Sequence, residues 1–295
     1  MELRQLEYFV AVATELSFSQ GAKQVHVVQS AVSASIAKLE NDLGAALFDR
    51  SRQRISLTAA GAALLPEARI VLNAARRAAD SVVDYRDNLS GSVTFAILLS
   101  HGSVDLTAVL ARFHDEHPLV RLRLTQPAAR AAERMASIAD GSLDLALVAR
   151  PVQPPPGVRV VPLAREAVVL LCPPGHRLEQ RASVSLPELA GDCFVALPQE
   201  WIISEVINDA LANADVRLEF RYEAAALEMI ADLVRSGLGP ALLPESAAKR
   251  FPELHTVHTT PAIEWEFGLA VPTGRSTPAA AAFTRTLLAE YGVTF

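Results

Sequence analysis

Gln29, Ser30 and Ser33 open a segment whose apolar residues, Val32, Ile36, Leu39 and Leu43, recur in steps of four, three and four. That spacing predicts a helix with one inward stripe, leaving the three polar residues facing out with Ala34 and Ala37. A small, polar outer face suits entry into a major groove about 12 Å wide, where amides and hydroxyls meet base edges. Arg50, Arg52 and Arg54 alternate along a segment that reads as a short β-hairpin. Alternation puts them on one side of a strand, within reach of phosphates or a minor groove. Lys23 and Lys38 add charge to the same region. Recognition of duplex DNA is the chemistry these residues suggest. The alternative is an ordinary helical hairpin with a solvated face.

The surrounding elements must hold that face in place. Ser17 and Gln20 have the spacing of a capping box, so a helix should start at Phe18, with Phe18, Ala22 and Val25 on one side. A turn over His26 to Val28 separates it from the reading helix. Thr58 can cap a long helix running to about Asn88. Its seam, Leu65, Ala68, Leu72, Ala75, Ala79 and Val82, follows the alternating steps of a coiled coil. A narrow stripe on a helix without a core of its own implies pairing with a second copy. Packing on the chain's own C-terminal part is the alternative. Pro66 should kink the axis.

Ser90-Gly91-Ser92 reads as a hinge, after which strand-like runs alternate with helical ones. Val93–Leu98, Ser103–His117, Arg121–Leu124, Arg130–Asp140 and Leu143–Val148 form one βαβαβ series, which implies a parallel sheet covered by helices. After a proline-rich interruption at 151–157, strands are expected at Ala167–Leu171, Cys193–Leu197, Arg217–Tyr222, Pro240–Leu243 and Trp265–Val271. Helices are expected at Glu200–Asn213, Ala224–Ser236, Glu245–Phe251 and Pro278–Tyr291. Two α/β lobes joined by two crossovers resemble a periplasmic-binding-protein fold.

Ligands of such folds sit between the lobes at the carboxyl ends of strands. The turn Ser100-His101-Gly102-Ser103 leads from a strand into a helix, so its free N–H groups favour an anion. Gln126 and Arg150 follow first-lobe strands. Gln199 and Trp201 follow one second-lobe strand, and Tyr222 and Glu223 end another. The expected ligand is a small organic acid held by Ser100 against an aromatic wall such as Trp201. Glu200 and Glu223 oppose an anion if they point inward. N-caps and strand ends also carry polar residues for structural reasons alone.

From Leu3 to Gly61 the chain resembles the N-terminal domain of LysR-type transcriptional regulators. The residues that carry the likeness are Leu6, Phe9, Ser17-Phe18-Ser19-Gln20-Gly21-Ala22, Gln29-Ser30-Ala31-Val32-Ser33, Ile36, Leu39-Glu40, Leu43-Gly44, Leu47-Phe48-Asp49-Arg50 and Leu57-Thr58-Ala59-Ala60-Gly61. Asp144-Leu-Ala-Leu, Pro174-Gly-His-Arg-Leu and Gly237-Leu-Gly-Pro-Ala-Leu-Leu-Pro244 extend it through the C-terminal part. The resemblance implies an α+β multidomain chain. A winged helix-turn-helix occupies 1–58 and a dimerising linker helix 59–89. A two-lobed α/β effector domain occupies 91–295, with lobe I at 91–162 and 268–295 and lobe II at 163–267. It implies DNA contacts from Ser19, Lys23, Gln29, Ser30, Ser33, Lys38 and the three arginines, and an effector site at the turn containing Ser100. Its further implications are a homodimer or homotetramer, RNA polymerase as a partner, and a cytoplasmic location. Three residues depart from the family pattern. Val28 stands where a capping serine is usual, Ser35 where glutamine is common, and Ala59 where an acidic residue follows the threonine.

Composition adds exclusions. The 295 residues carry a net charge of −6, yet residues 1–90 balance at ten charges of each sign, so the acidic excess lies beyond them. Groove binding needs local positive charge more than a basic total. No run of 18 apolar residues suggests a membrane span, and the start has no signal-peptide core. Cys172 and Cys193 are too few for a disulfide framework and read as packing residues. Gly237-Leu-Gly239 lacks the third glycine of a dinucleotide fingerprint. His114-Asp-Glu-His117 lacks metalloprotease spacing and reads as a solvated helix end. No nucleophile with a base can be named, so neither an enzyme nor a cofactor is expected. A solute-binding protein is the rival reading, opposed by the N-terminal 90 residues.

Overall fold

A computed structural model describes residues 1–49, 55–83, 89–98, 102, 104–125, 131–150, 153–199, 201–274 and 276–293, with the side chains of all but 77, 80–83 and 150. It has two compact units, residues 1–89 with 140–142, and residues 90–139 with 143–295.

The first unit begins with α1 (Leu3–Glu15), α2 (Phe18–Gln24) and α3 (Gln29–Leu43), followed by strands β1 (Phe48–Asp49) and β2 (Ser56–Leu57) and helix α4 (Ala59–Val83). Ser17 caps α2, its hydroxyl accepting the Gln20 backbone N–H at 3.3 Å. Val32, Ile36 and Leu39 are fully buried. Leu43, expected in the same stripe, is 43 % exposed, because the helix ends there on Gly44 in the left-handed conformation. The core gathers Leu6, Phe9, Val12, Phe18, Leu39 and Phe48. Phe48 anchors the hairpin, its ring 5.5 Å from Phe9 and 5.4 Å from Phe18.

Thr58 starts α4, accepting from the Gly61 N–H at 3.0 Å while its hydroxyl donates to the Ala46 carbonyl at 2.7 Å. The helix continues through Pro66. Its seam corrects an expectation, since the first half does have a core to pack on. Leu64, Leu65, Ala68 and Leu72 lie against the α1–α3 cluster, and Ile70 and Val71 are left exposed. Residues 84–88, where the helix was expected to end, lie outside the described residues.

The second unit runs β3 (Ser90–Ala96), α5 (Leu106–Glu116), β4 (Leu119–Thr125), α6 (Ala131–Ala139), β5 (Leu145–Arg150), β6 (Val158–Cys172) and β7 (Ser183–Ser185). After a 3-10 turn at Leu186–Leu189 come β8 (Cys193–Ala196), α7 (Ile202–Asn213), β9 (Glu219–Glu223), α8 (Leu227–Arg235), β10 (Ala241–Pro244), α9 (Glu245–Ala248), β11 (His255–Pro272) and α10 (Pro278–Glu290). The sheet order is β4-β3-β5-β11-β6-β10-β8-β9, with β7 beside β11. β3, β4 and β5 are mutually parallel, as are β8, β9 and β10.

The two long antiparallel strands β6 and β11 pass through both halves and are the crossovers. Sequence pattern found only a piece of each. Pro162, Arg165 and Glu166 interrupt the apolar run of β6, and polar residues fill the start of β11. Their pairing shifts register between Phe267 and Gly268. Phe283 of α10 packs edge-on against both Phe95 of β3 and Phe113 of α5. Ala96, next to Phe95, faces the other way, toward Met135 and Ile138 of α6.

Candidate nucleic-acid interface and effector cleft

α3 leaves Gln29 and Ser30 exposed at its first turn, with Ser33 half-buried below them. Ser19 and Lys23 of α2 are exposed, and Ser19 Oγ donates to Gln29 Oε1 at 2.8 Å. Lys38 sits 3.8 Å from Glu2 of α1, both side chains well exposed, a pair worth little in water. Arg50, Arg52 and Arg54 fall between β1 and β2 in the sequence and lie outside the described residues. The strands on either side are tied down. Glu40 Oε1 accepts from the backbone N–H groups of Leu47 at 2.8 Å and Phe48 at 3.3 Å. That carboxylate is a structural member which side-chain periodicity could not single out.

Val28 is the N-cap of α3, 68 % exposed and without a side-chain cap bond. Val28→Ser should therefore lose no core contact and gain a hydroxyl acceptor for a first-turn N–H, worth about 1 kcal/mol. The expected result is a higher thermal midpoint. An unchanged midpoint would show that this serine does not cap the helix.

In the second unit Arg134 of α6 ties the end of β3 to the middle of β5. The residue is 6 % exposed, and its guanidinium donates to the carbonyls of Ile97, just after β3, at 2.9 Å and of Leu147, within β5, at 3.3 Å. Burial pulls its pKa below the ordinary arginine value. The Ile97 N–H donates to the Thr125 carbonyl at 2.8 Å, so the residue preceding the 98–103 turn is fixed through both backbone groups. Within that turn Gly102 has φ +73, and a Cβ there would come 3.1 Å from the Phe267 ring. A side chain there would carry the strain of a positive φ and press on that ring.

Ser100, His101, Ser103 and Gln126 lie outside the described residues, as does the side chain of Arg150, the last residue of β5. Trp201 is the N-cap of α7, partly exposed beyond the end of β8. Gln199 is turned onto the helix that follows it, its Oε1 accepting from Asn208 of α7 at 3.1 Å. Tyr222 and Glu223 end β9, an edge strand exposed along its whole length. Of the expected ring, the fully described residues are Gly102, Gln199, Trp201, Tyr222 and Glu223; Arg134, which holds the Ile97 carbonyl, is a buried residue that pattern reading did not single out.

The cysteines are separated by β10, which pairs with β6 on one side and β8 on the other. Two strand spacings are about 9.6 Å, beyond the roughly 7 Å that a disulfide spans. Cys172 is buried, which pushes its thiol up to about 12, whereas Cys193 is half-buried rather than fully packed. Iodoacetamide should label Cys193 and spare Cys172 in the native chain, read by peptide mass. Equal labelling would contradict this packing. Among the described residues no acidic, His or Cys group could hold a metal, and no helix is long and apolar enough to cross a membrane.

Residues 3–62 match the family described as bacterial regulatory helix-turn-helix protein, lysR family, and residues 86–292 match the LysR substrate binding domain. The chain belongs to the LysR family. A probable hydrogen peroxide-inducible genes activator of Mycobacterium avium is 34 % identical over 243 residues, 82 % of this chain and 77 % of that protein. A full-length OxyR variant from Pseudomonas aeruginosa shares the fold with a TM-score of 0.72 at 24 % identity, covering 99 % of this chain and 94 % of the other. CbnR in complex with its target DNA gives a TM-score of 0.66 at 24 % identity, covering 98 % of this chain and all of the other. This LysR-family chain is a DNA-binding transcription regulator with an effector-binding domain, and its homologues are regulators rather than enzymes.

Proposed function

We propose that this LysR-family regulator reads its operator with α3 and answers to a small organic acid bound between the two lobes of its second unit. The observation that carries the DNA half is the exposed polar face of α3 beside a hairpin fixed by Glu40, Phe48 and Thr58. Gln29, Ser30 and Ser33 would touch base edges or phosphates, and the three arginines at 50–54 the backbone or minor groove. The turn before α5, secured by Arg134 through Ile97, supports the effector half. Effector binding shifts a population of conformers only by binding one of them better.

Residues 1–58, 59–89 and 91–295 would act as reader, dimerising linker and sensor, with lobe II at 163–267. Two exposed features favour homodimers, and from them a homotetramer. Ile70 and Val71 lie bare on α4. The sheet also ends in two open edges of differing charge, β4 with Arg121 and Arg123, and β9 with Glu219 and Glu223. Unpaired edges with exposed Leu119 and Leu124 on one and Phe220 and Tyr222 on the other invite strand-to-strand association of copies. A cytoplasmic regulator of this kind would meet RNA polymerase at the promoter.

The test is a gel shift of the full chain on its upstream intergenic DNA, with a thermal-shift screen of metabolite acids alongside. Arg52→Ala should weaken binding to every sequence and flatten the salt dependence by about one unit. An unaltered slope would remove that arginine from the phosphate contacts. Absence of any shift at low salt would sink the DNA reading.

A further inference from the structure

Ser19 and Gln29 do not stand on the DNA face independently. Ser19 is the second residue of α2 and Gln29 the first of α3, and the hydroxyl donates to the amide oxygen across the turn between the helices at 2.8 Å. The turn itself is fixed. The Val27 N–H donates to the Ala22 carbonyl at 3.0 Å, and His26 takes a positive φ of 56. Gln29 follows an N-cap without a side-chain bond, and its side chain is exposed, so neither capping nor core packing explains where its amide is held. Free in solution, a glutamine side chain samples many rotamers, and ordering it on binding costs entropy. A tether already present in the free protein lowers that cost.

We propose that Ser19 is a positioning residue that holds Gln29 with its amide oxygen turned inward, so that its NH2 reads a keto edge of DNA. The argument rests on the reading that α3 enters the major groove. Glutamine paired in bidentate fashion with adenine must accept from N6 through Oε1 while donating to N7. Oε1 spends one of its two lone pairs on Ser19 and is held toward α2, so the NH2 is the group presented to the base. Guanine, with O6 and N7, offers two adjacent acceptors and no amino donor on its edge, and is the base this donor selects. Ser19 therefore acts through Gln29 and makes no phosphate contact of its own.

The test is selection from a randomised duplex pool by the full-length chain and by Ser19→Ala, Ser19→Thr, Gln29→Ala and the Ser19→Ala/Gln29→Ala double variant. The wild type should favour a G·C pair over A·T at one position per half-site by about tenfold. Ser19→Ala should cut this preference to about threefold with the salt slope unchanged, and Ser19→Thr should restore it. Gln29→Ala should abolish the preference, and adding Ser19→Ala should then change nothing. Selection of an A·T pair at that position by the wild type would overturn the proposal. So would an intact preference in Ser19→Ala, or an equal loss on all sequences with a shallower slope. A wild type that enriches no sequence would defeat the DNA reading itself, a result separable from those. Ser19 is exposed, and matching thermal midpoints would confirm that the variants fold.

Discussion

Gly61→Ala is expected to abolish operator binding and to cost the first unit upwards of about 3 kcal/mol, at the severe end of overpacking. Gly61 is the third residue of α4, and a Cβ there would lie 2.1 Å from the Leu47 carbonyl oxygen and 2.9 Å from Leu57 Cδ2. Relief requires a backbone to move, and both candidates are pinned. The Leu47 N–H is held by Glu40, its carbonyl accepts from the Thr58 N–H at 3.0 Å, and its side chain is 1 % exposed. The start of α4 is fixed in turn by the two bonds of Thr58. The strain therefore falls on the strands that flank the three arginines. Gly44→Ala is the control. Gly44 has φ +67 but nothing within 4 Å of its missing Cβ, so only left-handed strain of about 1–2 kcal/mol applies. Thermal unfolding of both variants, with gel shifts, checks the ranking. Equal midpoints for the two would mean that the Leu47 approach is not tight.

Much of the first unit could be read from the chain because its constraints are local. Ser17 caps α2 through the residue three positions on, and Thr58 likewise caps α4. Val32, Ile36 and Leu39 obey a helical period that needs no tertiary knowledge. Burial of the linker seam was not legible. Whether Leu65 and Leu72 face a partner or the chain's own core depends on where α4 meets α1, and no period of one helix encodes that. The crossovers failed for a similar reason. β6 and β11 are long because they pair with each other over both lobes, and pairing register is a non-local property. Among ligand candidates, pattern placed Trp201 beyond a parallel strand, where it lies after β8, whereas Glu223, expected just past a strand, is the last paired residue of β9. It could not foresee that Gln199 would be bonded to Asn208 of the helix that follows it.

Arg134 shows most sharply what periodicity hides. Ala131, Arg134 and Ile138 follow helical steps of three and four on α6, so the arginine stands where an apolar residue would ordinarily complete the stripe. Burial of a guanidinium is tolerated only when its charge meets acceptors, and here the carbonyls of Ile97 and Leu147 supply them. Arg134→Met keeps much of the volume and removes the donors, so the carbonyls of Ile97, just after β3, and Leu147, within β5, each lose a partner. The expected loss is on the order of 3 kcal/mol, the range for stranding buried acceptors of a charged donor. Ile97 directly precedes the turn proposed to hold the effector, so the consequence should be larger for sensing than for reading DNA. The variant should still shift operator DNA, since α3 lies in the other unit, yet lose the thermal stabilisation given by whichever metabolite acid stabilises the wild type. Arg134→Lys should recover little, because one ammonium on a flexible stem does not reproduce the planar fork. An Arg134→Met chain with a wild-type thermal midpoint and an undiminished ligand shift would show that the turn at 98–103 is held by other means.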